Sequence, residues 1–248
     1  MPSLAMPLAL LYAKLKPRSG FIASFEMDKM TDQSPNRCRL VLIAPDVAEP
    51  SVLVRLIETA LSGGDVASVI LPQFGLDDAT FQKLAESVVP VIQARGAAVM
   101  IAGDTRVAAR VKADGVHVEG KPPVLADAID RLQDKMMVGA GGAKTRDDAL
   151  DLGELRPDYM FFGRFGYDNT PAPHHRNLTL GAWWAEMIEV PCIVMAGSEL
   201  ASVAEVASTG VEFVAVSAAV FGAEDPAAAV AEANRLLDEA IPVVEEDA

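Results

Sequence analysis

Residues that could do chemistry stand at a few points of this chain, most of them just after a short apolar run. Asp104 follows Val99-Met100-Ile101-Ala102-Gly103, and a carboxylate there can hold Mg²⁺, which favours one or two carboxylates plus phosphate oxygens. The same side chain can instead cap a helix starting near Thr105. Lys144 follows Gly141-Gly142-Ala143, and a desolvated lysine acts as a base or forms a Schiff base. Arg164 and Arg176 lie in a long polar stretch, Gly163 to Leu178, and offer charge to an anion. Gly197-Ser198 and Val216-Ser217 close two apolar runs, where small residues let main-chain amides approach a phosphate. A tight turn and a helix cap would use Gly197 and Ser198 equally well. Asp46, Gln73 and Gly142 end three more runs and join His117 as candidates for a substrate pocket. An imidazole inside a strand pattern, as His117 is, more often packs than ligates. His174 and His175 are neighbours in a polar loop, so the three histidines form no ligand set.

Something must hold these residues together, and the spacing of the apolar runs predicts what. Strands are expected at 40–43, 66–71, 98–101, 115–118, 136–139, 159–162, 192–195 and 213–216, with helical periodicity between them. Leu53, Leu56, Ile57, Ala60 and Leu61 make one helical stripe, and Phe81, Leu84, Ala85 and Val88 another. Asp77 is the expected cap of that second helix, and Pro90 is expected to kink or end it. Asp225-Pro226 supplies a cap and a first-turn proline for the last helix. Gly141-Gly142 reads as a turn. Trp183-Trp184 reads as outer packing. Eight strands separated by crossovers imply parallel pairing and point to a single α/β domain, a closed (β/α)₈ TIM barrel, with an open doubly wound sheet as competitor. In such a barrel the loops at the carboxyl ends of the strands carry the chemistry, and the loops after strands seven and eight hold phosphate.

Composition narrows the partners. The formal net charge is -14, with 21 basic against 35 acidic residues in 248. A nucleic-acid binder needs a basic face, and a polybasic membrane anchor needs the same, so neither partner is expected. Two cysteines, Cys38 and Cys192, exclude a disulfide scaffold and suit the reducing cytoplasm. Residues 1–36 read as an N-terminal extension before a barrel domain spanning 37–248. Its apolar start, Met1 to Ala13, is broken by Pro2 and Pro7 and has its charges on the wrong side for a secretory signal. No dinucleotide, phosphate-loop or serine-hydrolase motif is present.

Ala113-Asp114-Gly115-Val116-His117-Val118 resembles the Gly-Ala-Asp-Gly-Val-His-Leu signature of thiamine phosphate synthases and the related thiazole tautomerases. The order of the surrounding segments agrees, from Arg39–Asp46 through Ser62-Gly63-Gly64, Val99–Asp104 and Cys192–Ser198 to Val214–Phe221. The resemblance covers 39–239. It implies the barrel, and a reaction joining hydroxymethylpyrimidine diphosphate to thiazole phosphate with Mg²⁺ and release of pyrophosphate. It also implies that Gly197, Ser198, Val216 and Ser217 cradle the thiazole phosphate, that Asp104 is the first metal carboxylate, and that the protein is a homodimer. Departures are several. The family's Gln-x-Arg-x-Lys after strand two has no counterpart cations beside Gln73, and Asn-Asp is Gly103-Asp104. Gly-Gln-(Glu/Asp)-Asp is replaced by Glu119-Gly120-Lys121-Pro122, and a His-Thr pair by Lys144-Thr145. Thr170-Pro171 survives from a Thr-Pro-Thr-Lys stretch, where Arg176 could supply the lysine's charge. Three readings follow: a synthase, a non-synthase paralogue that binds a phosphorylated small molecule, or a barrel isomerase or aldolase using Lys144.

Overall fold

The computed structural model describes residues 37–240. The reading made for residues 1–36 lies outside these residues. Eight strands alternate with helices: β1 Arg39–Ile43, β2 Ser68–Pro72, β3 Ala98–Ala102, β4 Gly115–Glu119, β5 Met137–Gly141, β6 Tyr159–Phe162, β7 Cys192–Met195 and β8 Phe213–Val216. Every strand pairs in parallel with the next, and β8 closes on β1 through Arg39 opposite Phe213 and Leu42 opposite Val216. The sheet is a closed barrel.

Alternation along each strand builds two cores, because successive side chains point to opposite faces. Val41, Ile43, Ile70, Met100, Tyr159 and Phe161 are among those packed inside the barrel. Leu40, Leu42, Val69, Val99, Val194 and Val214 pack outward against the helices. The helices are α1 Pro50–Leu61, α2 Asp78–Ala94, α3 Thr105–Val111, α4 Pro122–Leu132, α5 Arg146–Gly153, α6 His175–Met187, α7 Ala201–Ala207, α8 Ala218–Phe221 and α9 Pro226–Glu239. Their starts follow the local chemistry. Asp77 accepts from the amides of Ala79 and Thr80, Asp225 from those of Ala227 and Ala228, and Thr145 with Asp148 forms a reciprocal capping box.

Two expectations are corrected. Helix α2 does not end at Pro90 but runs through it to Ala94. Pro90 and Glu86, whose carbonyl loses its amide partner, both lie on the exposed face, where water can serve that carbonyl. Gly141 is not in a turn: β5 extends to it, pairing with Glu119 across the ladder. A Cβ on Gly141 would fall 2.7 Å from Nε2 of His117, so the missing side chain is what admits the imidazole. Trp184 is fully buried and donates from its indole to the carbonyl of Val190 at 2.6 Å, in keeping with outer packing.

Candidate active site at the barrel mouth

Asp104 caps α3 by accepting from the amide of Arg106 at 2.9 Å. Its carboxylate also takes the Arg106 guanidinium through Nε at 2.9 Å and Nη2 at 2.5 Å. These hydrogen bonds from Arg106 hold the Asp104 carboxyl down to about 2. Gln73, just past the end of β2, accepts from the Asp104 amide at 3.1 Å and donates to the carbonyl of Leu76 and the carboxylate of Asp78. A Cβ on Gly103 would lie 2.4 Å from Oε1 of Gln73. The glycine that replaces the family's asparagine therefore goes with a glutamine folded over it. Gln73 stiffens the rim.

His117 is 3% exposed, and its Nδ1 lies 3.0 Å from the hydroxyl of Tyr159. Phe161 and Phe165 meet its ring edge-on, with centroids 5.4 and 5.2 Å away. Its Nε2 is the buried side-chain polar atom without a hydrogen-bond partner among the described residues. Burial pushes its titration down to about 3, so the ring is neutral at physiological pH. Glu119, at the end of the same strand, has its carboxyl pushed up by burial, a shift that the charge of Arg164 opposes.

Above these groups the mouth divides in two. One cavity of about 720 Å³ is lined at the mouth by Gln73, Gly103, Thr105, His117 and Glu119 and extends between α3 and α4 along Ala109, Asp127, Ala128 and Arg131. A second of about 530 Å³ is lined by Asp46, Tyr167, Asp168, Ser217 and Ala218. Phe74 and Phe165 line both and form the wall between them. Phe165 is carried on a turn in which the Tyr167 amide donates to the Arg164 carbonyl at 3.2 Å, with Gly166 at φ +75. The Arg164 guanidinium stacks on the Tyr167 ring, 3.7 Å from its centroid.

The bend after β8 lines the second cavity through Ser217 and Ala218, and amides of this bend and of the one after β7 are engaged inside the chain. The Gly197 amide donates to Oγ of Ser202 at 3.0 Å, and the Ser198 amide to the carbonyl of Thr170 at 2.8 Å. The Glu199 amide reaches the carbonyl of Pro171 at 3.3 Å. The Ala218 amide donates to the carboxylate of Asp168 at 2.6 Å. The loop after β6 therefore leans on both bends. It leans closely enough that a Cβ on Gly197 would fall 2.1 Å from the carbonyl oxygen of Pro171.

A sequence model described as thiamine monophosphate synthase matches residues 40–220. The chain belongs to this family. The thiamine-phosphate synthase of Rhodospirillum centenum is 33% identical over 202 residues, 81% of this chain and 98% of the relative. That of Hyphomonas neptunium is 33% identical over 220 residues, 84% of this chain and 99% of the relative. Among solved structures, thiamine phosphate pyrophosphorylase from Pyrococcus furiosus superposes with a TM-score of 0.69 at 22% identity, covering 84% of this chain and 98% of that one. A 3-hexulose-6-phosphate synthase reaches 0.61 at 20% identity, covering 79% of this chain and 98% of that one. At that identity the two structures speak for the barrel alone.

Among the positions matched to the family, the fold brings Asp46 and Ser217 to one cavity and Gln73 and His117 to the other. Val216 contributes a side chain to the outer core rather than the mouth. Lys144, Arg176 and Gly142 are exposed and line neither cavity. The Lys144 amide helps to start α5 by donating to Asp148. A Schiff-base lysine needs desolvation, and Lys144 lacks it. His174 caps α6, accepting at Nδ1 from the Arg176 amide. The sequence reading passed over Phe74, Phe165 and Asp168. The turn glycine of Arg164-Phe165-Gly166-Tyr167 was the one local signal that a side chain there is held over the mouth.

Proposed function

We propose that this chain is a thiamine-phosphate synthase. It joins hydroxymethylpyrimidine diphosphate to thiazole phosphate: a bond forms from the thiazole nitrogen to the pyrimidine methylene carbon as the bond from that carbon to pyrophosphate breaks. The observation that carries the reading is the match to nearly the whole length of known synthases, on a barrel whose mouth holds two adjoining cavities. Two substrates need two neighbouring seats and a short path between them. The cavity over Glu119 and His117 suits the planar pyrimidine, which the aromatic wall can stack against. The one beside Ser217 suits the thiazole phosphate, with Gly197, Ser198, Val216 and Ser217 as the cradle the family likeness assigns.

Pyrophosphate departure calls for positive charge; Arg106 lines the first cavity, and Arg164, whose charge acts on Glu119, is the second cation in this reading. Arg176 is the further cation the resemblance nominates. Asp104 with substrate phosphate oxygens matches the donor set Mg²⁺ prefers, and Mg²⁺ would neutralise the leaving pyrophosphate. Arg106, 71% exposed and so free to swing, holds that carboxylate until then. In this reading the protein is a cytoplasmic homodimer with its barrel at 37–248. Both cysteines are free and buried, as a reducing compartment allows, and no described helix is long and apolar enough to cross a membrane.

The test is direct. Purified protein, both substrates and Mg²⁺ should yield thiamine phosphate and pyrophosphate in equal amounts, with Asp104→Asn weakening the Mg²⁺ dependence. Binding of thiazole phosphate without any product would favour the paralogue reading instead.

A further inference from the structure

The loop after β6 holds the mouth through three separate contacts. At its start Phe165 lies against His117 and Phe161. In its middle Asp168, 8% exposed, places a carboxylate on the Ala218 amide. Further on, the carbonyls of Thr170 and Pro171 take the amides of Ser198 and Glu199. Main-chain donors on the bends after β7 and β8 thus already have acceptors, and the one at the second cavity is a carboxylate. Phe165 of the same loop also covers the His117 ring, whose Nε2 is buried, without a partner and turned toward Gly141. A buried polar atom left unpaired costs free energy, so the closed arrangement of the mouth carries a penalty at this ring.

We infer that the β6 loop is an autoinhibitory latch, with Asp168 as its anionic catch on the phosphate seat. The inference rests on the reading of the β7 and β8 bends as that seat. A dianionic phosphate and the Asp168 carboxylate cannot share the Ala218 amide, since they repel and compete for one proton. Phosphate binding must therefore displace Asp168. Because Asp168 sits in the same short loop as Phe165, that displacement also loosens the wall between the two cavities and opens His117 to a ligand. Phosphate arrival in one seat is thereby coupled to removal of the barrier to the other. Asp168 sets the occupancy of the closed state and so taxes the apparent affinity for the phosphate substrate.

Wild type, Asp168→Ala and the near-isosteric Asp168→Asn, each checked for an unchanged melting profile, distinguish the outcomes. Calorimetry with thiazole phosphate should show roughly tenfold tighter binding to Asp168→Ala, if the closed loop is favoured about tenfold in wild type, with Asp168→Asn between the two. Hydrogen exchange without ligand should accelerate at the Ala218 and Ser198 amides together in Asp168→Ala. Equal or weaker binding to Asp168→Ala, with wild type still binding, would overturn the latch and leave the phosphate seat standing. Faster exchange at Ala218 alone would also overturn it, because the loop would then not move as one piece. No thiazole phosphate binding by any of the three would defeat the phosphate seat and the latch with it.

Discussion

His117 stays neutral because its ring lies among Tyr159, Phe161 and Phe165, and that neutrality ties stability to pH. The unfolded chain takes up the proton below about 6.5, whereas the folded chain resists it down to about 3. Between those values the unfolded state binds more protons. Stability from this group is therefore whole above about pH 6.5 and is lost as the pH falls, at up to about 1.4 kcal/mol per unit. Urea denaturation at pH 7 and pH 5 should show that His117→Gln removes roughly 2 kcal/mol of the difference between the two. An unchanged difference would mean that water already reaches the ring. The Asp104 carboxylate acts lower down, its contribution present above the ordinary aspartate range and lost as pH falls toward about 2. It leaves this window clear. Packing of His117 was readable from its place in a strand pattern; its orphaned nitrogen was not, since that depends on β5 and β6 neighbours 20 and more residues away.

Among the elements, α2 carries a proline that it does not need. Pro90 lies on the solvent side of a helix otherwise anchored by Phe81, Leu84, Ala85 and Val88. Proline inside a helix costs about 3 kcal/mol against alanine, although part of that is already relieved by hydration of the Glu86 carbonyl. Pro90→Ala should raise unfolding stability by roughly 1–3 kcal/mol, seen as a higher urea midpoint at constant slope. No gain would show that the α2 backbone is fixed by packing on α1 and α3 and not by its own hydrogen bonds. Local rules read the helix starts well: Asp77 and Asp225 each act within three residues of themselves. They read Pro90 and Gly141 badly, because a tertiary surface decides whether a breaker breaks anything. The pairing of Gly141 with Glu119 and the apolar anchors of α2 outweigh residue preference in both places.

For the molecule as a whole, two anionic substrates must approach a chain of net charge -14. Repulsion of that range is screened as the Debye length shrinks from about 30 Å at 0.01 M salt to about 8 Å at 0.15 M. The second-order rate constant kcat/KM for the pyrimidine diphosphate should therefore rise over that range. A fall would instead mean that the rim arginines, Arg164 and Arg106, dominate the field at the mouth. By itself the sequence determined the eight-fold alternation, the parallel closed barrel, the family and the helix caps. Apolar periodicity and capping are short-range, and eight repeats of one unit leave few ways to close a sheet. Only the tertiary structure decided which loop residues meet. It drew Phe74 and Phe165 into one wall, laid Asp168 on an amide fifty residues away and left Lys144 outside. Contacts between loops of different strands depend on barrel register and on side-chain volume across the mouth, and neither has a local signature.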